Sequence, residues 1–330
     1  MLINLRQTFN MLSLGTEWIT LFILIISILS ISFKQSKLSL LSLFIGFILL
    51  VIQPQSFIFV QILLIVTSYS FLSVKKIAKY NLIVQLIFFS FNLFLLESGI
   101  IDENVSTDYK KGTTDLGYGN INTFSAYIYF ILLSLYLYFY KFKIIYPIIF
   151  IISYIVYSLS GGRTYFVAEI LLLITSCNMF LKHSISKYTL LVLPVAIVFL
   201  TIYFIYDFSL GNVAIDILLS GRLRYTFNLF SSMSLKELLF GCIQDDELVI
   251  DIAFVKMIVI GGVTSLLYFL FIYYKSYNQL SIKQQYIPII ISLLLAGISE
   301  SVFSHISFSG GLFIWFILYK NACEIKKTKC

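Results

Sequence analysis

Apolar residues run along this chain in long blocks separated by short polar breaks. A helix that crosses a bilayer needs roughly 17–25 mostly apolar residues, because its backbone polar groups must be satisfied within the segment. Blocks of that kind fall at about eleven places: 18–33, 38–52, 57–74, 82–96, 123–140, 144–160, 164–181, 188–206, 252–274, 287–303 and 307–319. The second and the last are short for a full crossing. The first ends at Lys34 without a small-residue cleavage site, so it is expected to be a retained span rather than a signal peptide. The pattern predicts an all-α fold, a single polytopic membrane helix bundle over residues 1–330. Two larger polar segments, 97–122 and 207–250, interrupt it.

The basic residues orient the bundle, since Lys and Arg in short loops stay on the cytoplasmic side. One set of alternating loops, from Lys34 and Lys37 through Lys75, Lys141 and Lys182 to Lys329, holds fifteen basic residues against one acid, Glu324. The other holds seven basic residues against thirteen acids. The N-terminus is therefore expected outside and the C-terminus inside, with both large polar segments outside. Trp18 and tyrosines such as Tyr80, Tyr146 and Tyr319 sit near span ends, as an interfacial belt does.

Composition removes other classes. The chain is 59% hydrophobic and 12% charged, with mean hydropathy +0.95, against about 25% charged residues in a soluble domain; a water-soluble enzyme is excluded. The net charge of +7 is scattered rather than gathered into a basic patch, so no nucleic acid is expected. Cys177, Cys242, Cys323 and Cys330 share neither zinc spacing nor a common compartment. No cytoplasmic loop carries a nucleotide motif, so any chemistry faces outward and does not use ATP directly.

Three ionisable residues interrupt the spans: Glu169, Lys256 and Glu300. At 1.5 Å per residue Glu169 and Lys256 lie roughly 8 Å from their outer helix ends, and Glu300 about 5 Å. They are expected to line an outward cavity with a Glu169–Lys256 pair in its wall, or equally to form a structural ion pair between helices. At an external turn, Ser160-Gly161-Gly162-Arg163-Thr164-Tyr165 places two glycines and an arginine at the start of a helix. Glycines let the backbone approach a ligand, and a helix N-terminus with a guanidinium favours an anion. The plain alternative is a turn whose arginine binds lipid headgroups. Arg222 and Arg224, in Ser220-Gly221-Arg222-Leu223-Arg224-Tyr225, share one face if extended and point apart if helical. Ser234 and Glu237 form a capping box before Leu238-Leu239-Phe240, with Gly241 as the helix stop. Asp245, Asp246 and Glu247 read as a solvated acidic run rather than a cation site. His305, five residues after Glu300, is either a general base or a polar turn residue.

Taken in order, these segments resemble the O-antigen and capsular polysaccharide polymerase (Wzy) family. Leu116-Gly117-Tyr118-Gly119-Asn120-Ile121-Asn122 is similar to the family's LGFG-x-x-N signature, and Ser160-Gly161-Gly162-Arg163-Thr164 to its T-x-S-R-T turn. Ser220-Gly221-Arg222 followed by Leu239-Phe240-Gly241 resembles its SGR…LFG pattern. Asp251 and Ile260-Gly261-Gly262 resemble the acid and glycine of the next helix. The resemblance covers roughly residues 110–320. It departs where Cys242 and Ile243 replace a second glycine, and where Leu159-Ser160 replaces a Thr-x-Ser.

The resemblance implies a glycosyltransferase of the bacterial cytoplasmic membrane that joins polyprenyl-diphosphate-linked oligosaccharide units on the outer face. It needs no nucleotide sugar, because the glycosyl diphosphate is already activated, and no cofactor or metal is expected. Partners would be the lipid-linked oligosaccharide, membrane lipids, and a chain-length regulator and flippase of the same route. Arg163, Arg222 and Arg224 would stabilise the leaving diphosphate; Glu300 or His305 would serve as base. Asn120, Asn122, Tyr165, Glu169 and Lys256 would contact substrate. An O-antigen ligase, a flippase or transporter for the same lipid, and a non-catalytic scaffold are the rival readings. A transporter tends to hold its polar site near the midplane between repeats, and no repeat is visible here.

Overall fold

The computed structural model describes residues 25–26, 37–103, 105–106, 113–177, 185–219, 221–242, 250–279, 284–303 and 312–323. The first apolar run, His305 and the acidic run at 245–247 lie outside or almost wholly outside these residues. What is described is nearly all helix: α1 (Lys37–Ile52), α2 (Phe57–Ser68), α3 (Val74–Glu97), α4 (Ile121–Phe139), α5 (Ile145–Ser160), α6 (Arg163–Ser176) and α7 (Ile185–Ser209). Three short helices follow, α8 (Ala214–Leu218), α9 (Arg222–Ser232) and α10 (Leu235–Phe240), then α11 (Ala253–Gln279), α12 (Ile287–Ala296) and α13 (Phe313–Cys323). A small antiparallel ribbon pairs β1 (Val105–Ser106) with β2 (Thr113–Thr114), Val105 opposite Thr114.

Four helical stretches are long and apolar enough to cross a membrane: Val74–Glu97, Ile121–Phe139, Leu190–Ser209 and Ala253–Tyr277. Four others are apolar but shorter: Lys37–Ile52, Phe57–Ser68, Ile145–Ser160 and Ile287–Ala296. Eleven full-length spans are thus more than the described helices establish. Local chemistry trims the apolar runs. The 57–74 run stops at Ser68, and Ser73 starts a new helix by accepting a hydrogen bond from the Lys76 amide (3.2 Å). The 287–303 run stops at Ala296, before the turn that carries Glu300.

Apolar side chains face both inward and outward. Phe44 and Phe47 of α1, Ile87 and Phe94 of α3, and Phe199 and Ile202 of α7 are exposed. Large apolar surfaces of this kind are costly in water and compatible with a membrane protein. The core gathers around α13, whose Trp315, Ile317 and Tyr319 are wholly buried among α1, α2, α3, α11 and α12. Several polar groups inside are paired: the Trp315 indole donates to the Phe303 carbonyl (2.9 Å), and Asn81 donates to Gln85 and Ser134 (both 2.9 Å). A smaller cluster around Leu223, Leu229, Ile252 and Val259 fastens α9 to the start of α11.

Candidate functional site

Two arginines reach the site by different local designs. Arg163 opens α6 directly after the glycine turn. Gly161 takes the left-handed conformation (φ 65°) that ends α5, its amide donating to the Tyr157 carbonyl (2.7 Å). Gly162 is packed so tightly that an added Cβ would lie 2.2 Å from Ser125 Oγ. Ser125 in turn donates to Ser160 Oγ (2.7 Å), which accepts the Gly162 amide (3.1 Å). These glycines therefore serve close packing of the turn on α4. Arg163 itself is exposed, and no described residue pairs with it.

Arg222 is held from three directions. Asp216, buried in α8, accepts the Leu223 and Arg224 amides (2.9 and 3.1 Å), capping α9 from outside the usual cap position. Gly221 supplies the left-handed turn (φ 81°) between the two helices. The Arg222 guanidinium donates through Nε to Asp251 Oδ2 (3.1 Å) and through Nη2 to Glu300 Oε1 (2.9 Å). Its side chain is 12% exposed. Asp251 and Glu300 meet because the Ala253 amide at the start of α11 donates to the Gly297 carbonyl at the end of α12 (2.9 Å).

A second docking fixes this unit on the bundle. Helix α11 is broken at Gly261 and Gly262, and Gly262 is left-handed (φ 67°). The end of α10 lies in the notch: a Cβ on Gly262 would sit 2.0 Å from the Leu239 carbonyl oxygen. The Cys242 amide donates to Val259 O (2.9 Å), Thr264 to Leu239 O (2.8 Å) and Gln53 to Gly241 O (2.9 Å). Leu239-Phe240-Gly241 and Ile260-Gly261-Gly262, two separate sequence patterns, are halves of one contact.

The arginines open onto a cavity of about 810 Å³. Its polar wall holds Asn120, Asn122, Arg163, Arg222, Ser299 and Glu300. Its apolar wall runs along Val167, Ala168 and Leu171 of α6 and Leu295, Ala296 and Ile298 at the end of α12. Thr164 and Ser299 join the two sides by a hydrogen bond of 3.1 Å. Asn120 arrives through the turn at 116–119, where Gly117 and Gly119 are left-handed and Asp115 accepts the Gly117 amide (3.0 Å). Asn120 caps α4 by accepting the Asn122 amide (2.8 Å), so its carbonyl is engaged in the fold. Glu300 lies beyond the last turn of α12, outside the helices. Burial pushes its carboxyl up to about 7, against the opposing pull of Arg222, and Tyr165 hydrogen-bonds it from α6.

Several expected site residues stand elsewhere. Arg224 points away: two residues along a helix turn a side chain by roughly 200°, and Arg224 is 65% exposed, 3.9 Å from Asp216. Tyr165 is buried behind Glu300 and does not line the cavity. Glu169 and Lys256 do not pair. Helix α6 packs mainly on α12, α5 and α4, and α11 on α10, α13 and α2, so equal depth does not bring the two side chains together. The Glu169 carboxyl meets Ser153, one of its oxygens having no partner among the described residues; Lys256 interacts electrostatically with Asp251 and Cys242. His305 falls outside the described residues. Asp216 and Asp251 are the groups that reading the sequence left out of the site. Among the described residues no three His, Cys, Asp or Glu side chains gather to hold a metal ion.

The chain matches no family model, no curated protein and no solved structure.

Proposed function

We propose that this chain is an integral membrane glycan polymerase of the bacterial cytoplasmic membrane, joining polyprenyl-diphosphate-linked oligosaccharides on the outer face. One observation carries the reading: a single cavity has two arginines and a carboxylate on one wall and an apolar wall along α6 and α12. A glycosyl diphosphate on a lipid has the same division, an anionic head next to an apolar chain. In this reading the remaining apolar runs complete about eleven spans, with the N-terminus outside and the C-terminus inside.

The reaction follows from the groups in place. The acceptor sugar hydroxyl attacks the donor's anomeric carbon, and the bond from that carbon to the phosphate oxygen breaks. The electron pair leaves with the diphosphate, whose charge Arg163 and Arg222 stabilise. The hydroxyl proton passes to Glu300, a carboxyl raised toward neutrality and so suited to a base. Asn120 and Asn122 line the same cavity, and in this reading their side-chain amides contact sugar hydroxyls.

The test is the gel profile of surface and lipid-linked glycan in the native host after deletion of the gene, with wild type or Arg163→Ala restored. The expected result is single repeat units outside, a ladder with wild type, and no ladder with Arg163→Ala at normal protein level. Undecorated carrier accumulating inside would make the chain a flippase instead.

A further inference from the structure

Arg222 faces three ways at once. Nε is bound to Asp251, which does not line the cavity; Nη2 is bound to Glu300, which does; and Arg222 itself lines the cavity. Glu300 is also the base of the proposed reaction. An anionic ligand seated on Arg163 and Arg222 arrives beside this carboxylate, and two like charges in one pocket disfavour each other. Asp251 holds the guanidinium from the far side, so Nη2 can change partner without the arginine leaving its place.

We propose that Glu300 occupies Arg222 as an internal stand-in for a phosphate or diphosphate, and that the incoming anion takes its place and frees the carboxylate for proton chemistry. The inference rests on the proposed function and adds an order to it. Until the donor's diphosphate is seated, the base is tied to a cation, and water entering the cavity first meets a carboxylate already engaged. Among the described residues, the charged and titratable groups facing Glu300 are Arg222 of α9, Asp251 before α11 and Tyr165 of α6, with Arg163 on the same cavity wall; Lys256 interacts with Asp251 from α11.

The test is titration calorimetry of the full chain in lipid nanodiscs with pyrophosphate near pH 7, in buffers of different ionisation heat. Wild type should take up a fraction of a proton more per anion than Glu300→Gln, and Glu300→Gln should bind about tenfold tighter because nothing charged competes for Arg222. Equal affinity and equal proton count in the two proteins would overturn the switch and leave the anion site standing. Binding by neither protein would remove the anion site, and the proposed function with it. On wild type alone, pyrophosphate should shift a carboxylate stretching band in the infrared difference spectrum as Glu300 leaves Arg222, a shift missing from Glu300→Gln; its absence alongside binding also counts against the switch. A farnesyl diphosphate arm separates the sources of the anion. Tighter binding than pyrophosphate assigns the site to a lipid diphosphate, through Val167, Leu171 and Leu295, and equal binding assigns it to the free anion.

Discussion

Arg163 and Arg222 follow near-identical local sequences, a serine, one or two glycines, then an arginine that starts a helix, yet the fold treats them differently. Arg163 is exposed at a cavity mouth with no described partner, while Arg222 is almost buried between two carboxylates that lie 29 and 78 residues away in the chain. The local pattern sets the turn and the helix start in both cases. What distinguishes them is supplied from a distance, by the contact of α11 with α12. The exposed arginine is free to meet a ligand, and the clamped one contributes to stability as well as to the cavity.

That contrast is sharpest when each arginine is removed. Arg222→Ala leaves Glu300 and Asp251 facing each other without a cation and should destabilise the fold by about 3 kcal/mol, read by thermal unfolding in detergent, with the glycan ladder lost. Gly262→Ala, which pushes a methyl group into the Leu239 backbone at a left-handed position, should cost about 2 kcal/mol. It should also loosen α9, visible as faster amide exchange in residues 222–232. Glu300→Gln tests the clamp through pH. Its carboxyl is raised in the folded chain from 4.5 to about 7, so the folded state holds the proton more tightly and this group's contribution to stability falls as pH rises across that window. The wild-type melting temperature should therefore drop relative to Glu300→Gln over the same range. Arg163→Ala should shift stability least, within about 0.5 kcal/mol, while still abolishing the ladder. A large loss of stability there would erase the contrast between the two arginines.

Much of the local architecture was legible in the chain. The capping box of Ser234 and Glu237 forms as expected, with the Ser234 amide donating to Glu237 Oε2 at 2.8 Å and Gly241 ending the helix. The turn at Gly161 and the helix starts after Asn120 and Gly162 also follow from residue type. Helix lengths were less legible, because an apolar run does not reveal where a serine cap or a glycine pair divides it, as at Ser73 or Gly261. The ion pairs were not legible at all. Depth along a span is a matter of counting, but which way a side chain points around the helix depends on which helices are neighbours. Glu169 and Lys256 share a depth and no interface, whereas Asp251 meets Arg222 through the Ala253–Gly297 hydrogen bond, which no local pattern announces.

The broken helix α11 has one further consequence for a chain placed in lipid. A gap in a helix exposes backbone groups that would draw water into the hydrocarbon. Here the gap is closed by the chain itself: Val259 O takes the Cys242 amide, and the Ser265 hydroxyl lies within hydrogen-bond distance of the Met257 and Gly262 carbonyls (2.6 and 2.9 Å). The kink that seats α10 therefore keeps the Met257, Val259 and Gly262 carbonyls hydrogen-bonded within the chain, and the break that holds Arg222's neighbours in register is bridged by side chain and backbone alike.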